Sequence, residues 1–475
     1  MGSSYLLGIL VALFSALNAG RSRCEKAFPT LPVLPGVAAL CIVLCILFAG
    51  ELAIINGATH NTRHLPAYVR SLPIPTIQTG VAHLEDVDAQ RSLYIEGISI
   101  LESVVLFALA ALLRGTPQDT RTLHAIIVVT AVTLAMLALR APSMLCSDLY
   151  LYIGLAQASP NAYHPDHRPF TGDLAVINTI WGLPLFPSAY GPLWIALSKL
   201  AIAAAPTLAA KLLALRIVEA IALALCIIFL ILLGQSSRVV ALLAVNPAVY
   251  DLYISEGHND LTGVALVLAA ALARRTSPIL AIGLVCAAGA IKLPFILIGA
   301  LAFTAEQTPV RRIVFWLTSA GTAVTVCFLA GGPWYAWALK RAYAIYAQVY
   351  KQQPLPIDII LHAVLASIAV GTLVLALAQQ RFISGAAWSM PALAPYIPAS
   401  YIAWSFPYAL LAQEANLPFF ILLPTTVYIL NTDYTITPYF ILLRAVLIAG
   451  LTVGIVFALL RRPINREAFR NTDAT

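Results

Sequence analysis

The chain is 475 residues long, 60% hydrophobic and only 10% charged, with a formal net charge of +7. Soluble domains carry roughly 25% charged residues, so this composition excludes an ordinary water-soluble enzyme and marks a polytopic membrane protein. The positive balance comes from Lys and Arg at the ends of apolar runs, which is a topology signal and gives no reason to expect a nucleic-acid partner.

In chain order, Met1–Gly20 lacks a basic n-region and a small-residue cleavage site, so it reads as a first span and not as a removable signal. Apolar segments follow near 34–56, 93–113, 122–140, 190–206, 210–234, 238–254, 260–274, 278–291, 293–305, 313–330, 358–378, 384–414, 417–430 and 436–460. They amount to roughly 12–14 transmembrane helices in an all-α protein. Basic residues at Arg21, Arg114, Arg238, Arg274, Arg275, Arg311, Arg312 and Arg461 place those ends in the cytoplasm. The connections 57–92, 141–189, 255–259, the turn at Lys292–Pro294 and 331–357 then lie outside. The run 190–206 breaks this parity, so it is expected to be short, re-entrant or interfacial. We read a single integral-membrane domain over 1–475, divided into N-terminal helices (1–140), an external loop (141–189), core helices (190–330), an external aromatic and basic segment (331–357) and C-terminal helices (358–475).

The polar groups concentrate in four places. Residues 146–170 read CSDLYLYIGLAQASPNAYHPDHRPF. Asp148 and Tyr152 stand four apart, so a short helix over 149–158 stacks them on one face; Asp148, or Ser147 before it, can equally serve only as its cap. His164, His167 and Arg168 add donors in the same loop. Residues 189–194 (AYGPLW) form a Gly-Pro turn that sets Tyr190 at the head of an apolar helix. In 251–262 (DLYISEGHNDLT), Gly257 suits a left-handed C-cap, and either Asn259 or Asp260 suits the next N-cap. One cap leaves Glu256, His258 and the other member of that pair without a structural duty, and ionisable groups near membrane depth are costly enough to indicate function. In 287–295 (AAGAIKLPF), Lys292 interrupts an apolar run. A lysine at the bilayer centre costs roughly 2.5–3.5 kcal/mol, so Lys292 serves an anion or an aqueous cavity, or else snorkels to the interface.

The seven Cys are scattered, without CxxC or a His at ligand spacing, and read as small core residues. No cofactor is indicated; a divalent metal is compatible with the sequence but not signalled by it. Segment 331–356 alternates aromatics with Lys340, Arg341 and Lys351, as an interfacial helix or as a lid over a headgroup. Arg444 follows Asp433 and Tyr434 at the start of the last span, for a simple ion pair with Asp433 or a contribution to the site.

The ordered combination D-L-Y-L-Y…Q…S-P-N-A-Y, Y-G-P-L, N-P…G-H-N-D and K-L-P resembles the GT-C polytopic glycosyltransferases over about residues 120–310. The likeness is greatest to the polyprenyl-phosphomannose-dependent mannosyltransferases of actinobacteria and their bacterial relatives. It implies a GT-C fold whose long external loop carries short interfacial helices, in a multi-pass protein of the bacterial inner or plasma membrane. It further implies transfer of a sugar, mannose foremost, from a polyprenyl-phosphate donor to a hydroxyl of a glycan or lipid-linked acceptor at the external face, among membrane lipids. Asp148 matches the general base of that family.

The residue chemistry agrees with this. One positioned base contributes typically ~10²–10⁴-fold, and donors must neutralise the departing phosphate. Lys292, Arg168, His164, His167 and His258 are phosphate or sugar donors. Tyr150, Tyr152 and Trp181 offer faces for a sugar, and Tyr190, Asn259 and Asp260 complete the candidate binding set. The competing reading is a lipid or sugar transporter, which predicts broken helices at matching places in two inverted halves; only the break at Lys292–Pro294 is visible in the sequence.

Overall fold

The computed structural model describes residues 33–59, 89–113, 121–141, 148–158, 162–164, 168–181, 187–303, 308–349, 399–411, 420–424 and 426–427. Every regular element among them is helical, the arrangement that satisfies backbone groups internally where water is absent. The expected spans at 1–20, 358–378 and 436–460 lie outside the described residues, as do Ser147, His167, Asp433, Tyr434 and Arg444.

Three helices, α1 (Val33–Thr59), α2 (Ala89–Leu112) and α3 (Arg121–Arg140), pack on one another through Val37, Leu44, Phe48, Leu106, Leu109 and Leu134, all fully buried. The chain then runs through α4 (Asp148–Gln157), α5 (Ala175–Trp181) and α6 (Pro192–Ile202), three short helices, before α7 (Leu208–Leu232). Thr207 caps α7 by accepting from Ala210 N at 3.2 Å, a standard N-terminal solution for orphan amides. Next come α8 (Ser237–Ala244) and α9 (Pro247–Tyr250), with a π turn at Asp251–Ser255. The pair α10 (Asp260–Ala273) and α11 (Pro278–Ile291) forms a tight hairpin, followed by α12 (Phe295–Gly299), the long α13 (Pro309–Val349) and α14 (Phe406–Leu411), the last preceded by a 3-10 helix at Ala399–Ser405. Helices α7, α10, α11 and α13 pack in succession, and α3 and the π turn join this group to the N-terminal trio.

Five of the described helices are long and apolar enough to cross a membrane: Leu34–Ile54, Tyr94–Leu112, Arg121–Arg140, Leu208–Leu232 and Pro309–Lys340. Several of the expected spans differ from simple rods, among them 293–305, which is the short α12 and a 3-10 turn at Ala300–Phe303. The run 190–206 is an 11-residue helix, too short to cross. The run 238–254 is broken by 55° at Asn246–Pro247, because Pro247 lacks the N–H that would continue the ladder. The expected boundary near 331 is a kink within α13, where Gly332 takes φ 55° ahead of Pro333. At roughly 1.5 Å per residue, the part of α13 before the kink already covers a hydrocarbon core.

Two contacts fix the short elements. The C-terminal carbonyls of α3 are buried, and Arg216 of α7 reaches across to cap them, donating from Nη1 to Ala141 O at 2.6 Å and Leu139 O at 3.4 Å. Orphan carbonyls at a helix end need such a partner. At the other side, α6 meets α11 end to end: Gly191 N donates to Ile291 O at 2.9 Å. The approach is so close that a Cβ on Gly191 would lie 2.1 Å from Ala290 O, so only glycine fits.

Gly191→Ala is therefore expected to destabilise the fold by about 1–3 kcal/mol or more. Gly283→Ala, on the same α11 but with nothing within 4 Å of its would-be Cβ, is expected to be neutral or slightly stabilising. Thermal unfolding of the two variants in detergent, read side by side, checks the assignment.

Candidate active site

Asp148 opens α4, the short helix that follows the N-terminal trio. The expected stacking occurs: the Tyr152 hydroxyl donates to Asp148 Oδ2 at 3.4 Å. Two residues far away in sequence converge on the same oxygen. The Tyr190 hydroxyl donates to it at 3.1 Å, and His258 Nδ1 lies 3.5 Å from it. These contacts are long for hydrogen bonds, so they orient the carboxylate without tying it tightly. Its side chain is 21% exposed and that of His258 12%, a recessed but open position.

Tyr190 is itself held on several sides. Its ring meets Tyr152 edge-on at 4.9 Å, and Tyr152 meets the buried Trp194 at 5.0 Å, geometries that aromatic quadrupoles favour. Its carbonyl accepts from Tyr163 OH at 3.2 Å and Ser188 Oγ at 3.2 Å. Burial pushes the Tyr163 hydroxyl well above the ordinary tyrosine range, so it remains a donor at any working pH. The next residue, Gly191, carries the backbone bond to Ile291, one position before Lys292.

Lys292 ends α11 in extended conformation (φ −156°, ψ 122°), and Pro294 prevents the helix from resuming until Phe295. Its ammonium donates to Asp260 Oδ1 at 2.9 Å, with side-chain exposures of 11% for Lys292 and 0% for Asp260. Trp404 Nε1 donates to the same oxygen at 2.8 Å. The ammonium also sits 4.2 Å from the Tyr401 ring centroid, 5.6 Å from Trp404 and 5.9 Å from Tyr190, in cation–π range. Tyr190 thus touches both halves, its hydroxyl on Asp148 and its ring beside Lys292.

The turn between them answers what the polar cluster is for. Gly257 adopts φ 66°, the left-handed closure expected of it, and packs against Leu149. The expected cap is not made: Asn259 occupies the N-cap position of α10 without a side-chain capping bond, and Asp260 is committed to Lys292 and Trp404. Beneath Asp260, Glu219 of α7 accepts from Thr262 Oγ1 at 2.5 Å and Thr262 N at 3.3 Å.

The structure therefore brings together Asp148, Tyr152, Tyr190, His258, Asp260 and Lys292, with Asn259 between two of them in sequence. It does not bring Arg168 to the cluster: that residue is exposed and makes no hydrogen bond or ion pair with these groups among the described residues. His164 is also exposed, its ring lying 4.1 Å from that of Trp334 at a tilt of 55°, beside the Gly332 kink. Tyr401 and Trp404 escaped sequence reasoning. They sit inside a long apolar run, and their spacing of three in Y-I-A-W is the only trace that both lie on one helical face. Among the described residues no group of three or more His, Cys, Asp or Glu has metal-holding geometry.

The arrangement offers a recessed carboxylate able to take a proton, and about one tyrosine ring away a buried cation suited to an anion. Residues 40–307, more than half of the chain, match the family model of the alpha-(1->6)-mannopyranosyltransferase, N-terminal domain. No curated protein and no solved structure matches the chain. The matched stretch contains Asp148, Tyr190, His258, Asp260 and Lys292, while Tyr401 and Trp404 come from beyond it. The chain belongs to the alpha-(1->6)-mannopyranosyltransferase family and is a multi-pass membrane mannosyltransferase of the GT-C class.

Proposed function

We propose that the protein transfers mannose from a polyprenyl-phosphate donor to a hydroxyl of a glycan or lipid-linked acceptor, on the external face of a bacterial plasma membrane, with Asp148 as general base. The observation that carries this reading is the convergence of Tyr152, Tyr190 and His258 on Asp148 Oδ2 next to the Lys292–Asp260 pair. The acceptor O–H gives its proton to Asp148 as its oxygen bonds to the anomeric carbon. The bond from that carbon to the phosphate oxygen breaks, and its electron pair leaves with the lipid phosphate. Lys292 faces the charge that develops there. Its pairing with a fully buried Asp260 keeps an ammonium in a low-dielectric site, where it acts on a phosphate more strongly than it would in water.

A lipid donor fits the position of the site. Asp260 and Lys292 lie at one end of the α10–α11 hairpin, while Arg274 and Arg275 lie at its turn. The positive-inside rule puts that turn in the cytoplasm, so the site opens on the side where nucleotide sugars are not made. The five long apolar helices supply a greasy surround for an isoprenoid tail. A transporter would show a second broken helix related to Lys292–Pro294 by inverted repeat. The other breaks among the described residues, at Asn246–Pro247 and Gly332–Pro333, lie in the same half of the chain as Lys292–Pro294 and give no such relation.

Purified protein in liposomes is expected to transfer mannose from mannosyl-phosphopolyprenol and not from a nucleotide sugar in the absence of polyprenyl phosphate. Asp148→Asn is expected to lower turnover by ~10²-fold or more while leaving thermal stability near wild type. Turnover within tenfold of wild type would remove Asp148 as base. Lys292→Met is expected to cost about 3–5 kcal/mol of stability, because it strands a buried carboxylate. The double variant Lys292→Met/Asp260→Leu should recover much of that stability without recovering transfer. Recovery of both would mean that the pair is structural only.

A further inference from the structure

We infer that the Asn259 side-chain amide reads neighbouring hydroxyls of the transferred sugar, and so helps set which sugar the enzyme accepts; this deepens the mannosyl-transfer reading and rests on it. Asn259 is 0% exposed, and among the described residues neither its Nδ2 nor its Oδ1 has a hydrogen-bond partner. A buried amide with no bond at all costs on the order of 1–3 kcal/mol, and such exceptions in native folds call for an explanation. Capping is not the explanation, since the residue stands at the N-cap of α10 without making the capping bond.

Its place in the chain says what it serves. The residue before it, His258, faces Asp148, and the residue after it, Asp260, holds Lys292. In sequence Asn259 therefore stands between the residue that faces the proposed base and the residue that holds the cation assigned to the phosphate, and it is against this turn that we place the sugar. Other unmet polar atoms occur beside it: Asp260 Oδ2 and Ser405 Oγ are fully buried and unpartnered among the described residues, and Ser405 adjoins the Trp404 that bonds Asp260. A phosphate offers no donor to an amide oxygen or to a carboxylate. A sugar offers hydroxyls that both donate and accept, so one hydroxyl can accept from Nδ2 while its neighbour donates to Oδ1. The amide is already out of bulk solvent in this fold, so bonding a hydroxyl there adds little desolvation cost. The 3-10 helix Ala399–Ser405 packs on α10 and adjoins this turn through Trp404 and Asp260.

The inference makes an unusual joint prediction, because removing an unpartnered buried amide should help folding while harming recognition. Asn259→Leu, with Asn259→Ala alongside it in case Leu overpacks, is compared with wild type using mannosyl-phosphopolyprenol and its 2-, 3-, 4- and 6-deoxy sugar analogues. In wild type, at least one deoxy donor should lose ~10²–10⁴-fold in kcat/KM. In the Asn259 variants the parent donor should lose a comparable factor, that same deoxy donor should lose little more, and the melting temperature should match or exceed wild type. The inference is overturned if every deoxy donor falls by the same factor in variant and wild type, or if both variants melt lower while keeping wild-type kcat/KM. Failure of wild type to use any mannosyl-phosphopolyprenol counts against the proposed donor alone; the same comparison on whichever mannosyl donor the wild type accepts still decides the role of Asn259.

Discussion

The site depends on one backbone hydrogen bond, from Gly191 N to Ile291 O. It joins the start of α6 to the end of α11, and each terminus satisfies a group the other leaves orphaned. Because the bond lies next to Tyr190 on one strand and next to Lys292 on the other, it sets the tyrosine beside the ammonium without any side-chain adjustment. The absence of a Cβ at Gly191 allows the approach. Everything chemical in the site then follows from side chains fanning out from this junction: Tyr190 toward Asp148, Lys292 toward Asp260.

The helices that carry the site also keep several ionisable groups away from water. Asp260, Glu219 and Glu256 are each fully buried, and Arg216 and Asp251 nearly so. Arg216 is the electrostatic neighbour of Glu256, Tyr150 and Asp251, and its guanidinium also caps α3. One cation thus answers a helix terminus and several acids at once. Buried ionic groups of this kind contribute little net stability. Their retention is a cost that membrane helices bear where a polar path or site is required.

Much of this was legible in the sequence. Apolar run lengths gave the helical membrane architecture, and the spacing of Asp148 and Tyr152, the Gly-Pro turn at 191–192 and the Lys-Leu-Pro break each corresponded to a local conformation set by near neighbours. The departures came where local rules meet tertiary competition. Asn259 has the residue type and position of a cap yet does not cap, because the helix start is placed by Asp260's bonds to Lys292 and Trp404 and not by its own first turn. Tyr401 and Trp404 could not be found, since an aromatic in an apolar run carries no mark of the carboxylate it will meet more than a hundred residues upstream. The kink at Gly332 was visible only as a Gly-Gly-Pro sequence, which signals a break but not that the helix resumes beyond it.

The α10–α11 hairpin is made of two 14-residue helices, roughly 21 Å each, set against α7 with 25 residues and the long straight part of α13. Neighbouring helices of such unequal length create a local hydrophobic mismatch, and a bilayer answers a short apolar element by thinning over it. With the turn of the hairpin at one water boundary, helices of this length would not reach the opposite one. Thinning of that kind would bring the polar boundary of the bilayer toward Asp260 and Lys292 at that end. The thickness of the surrounding membrane would then become part of the geometry of the site.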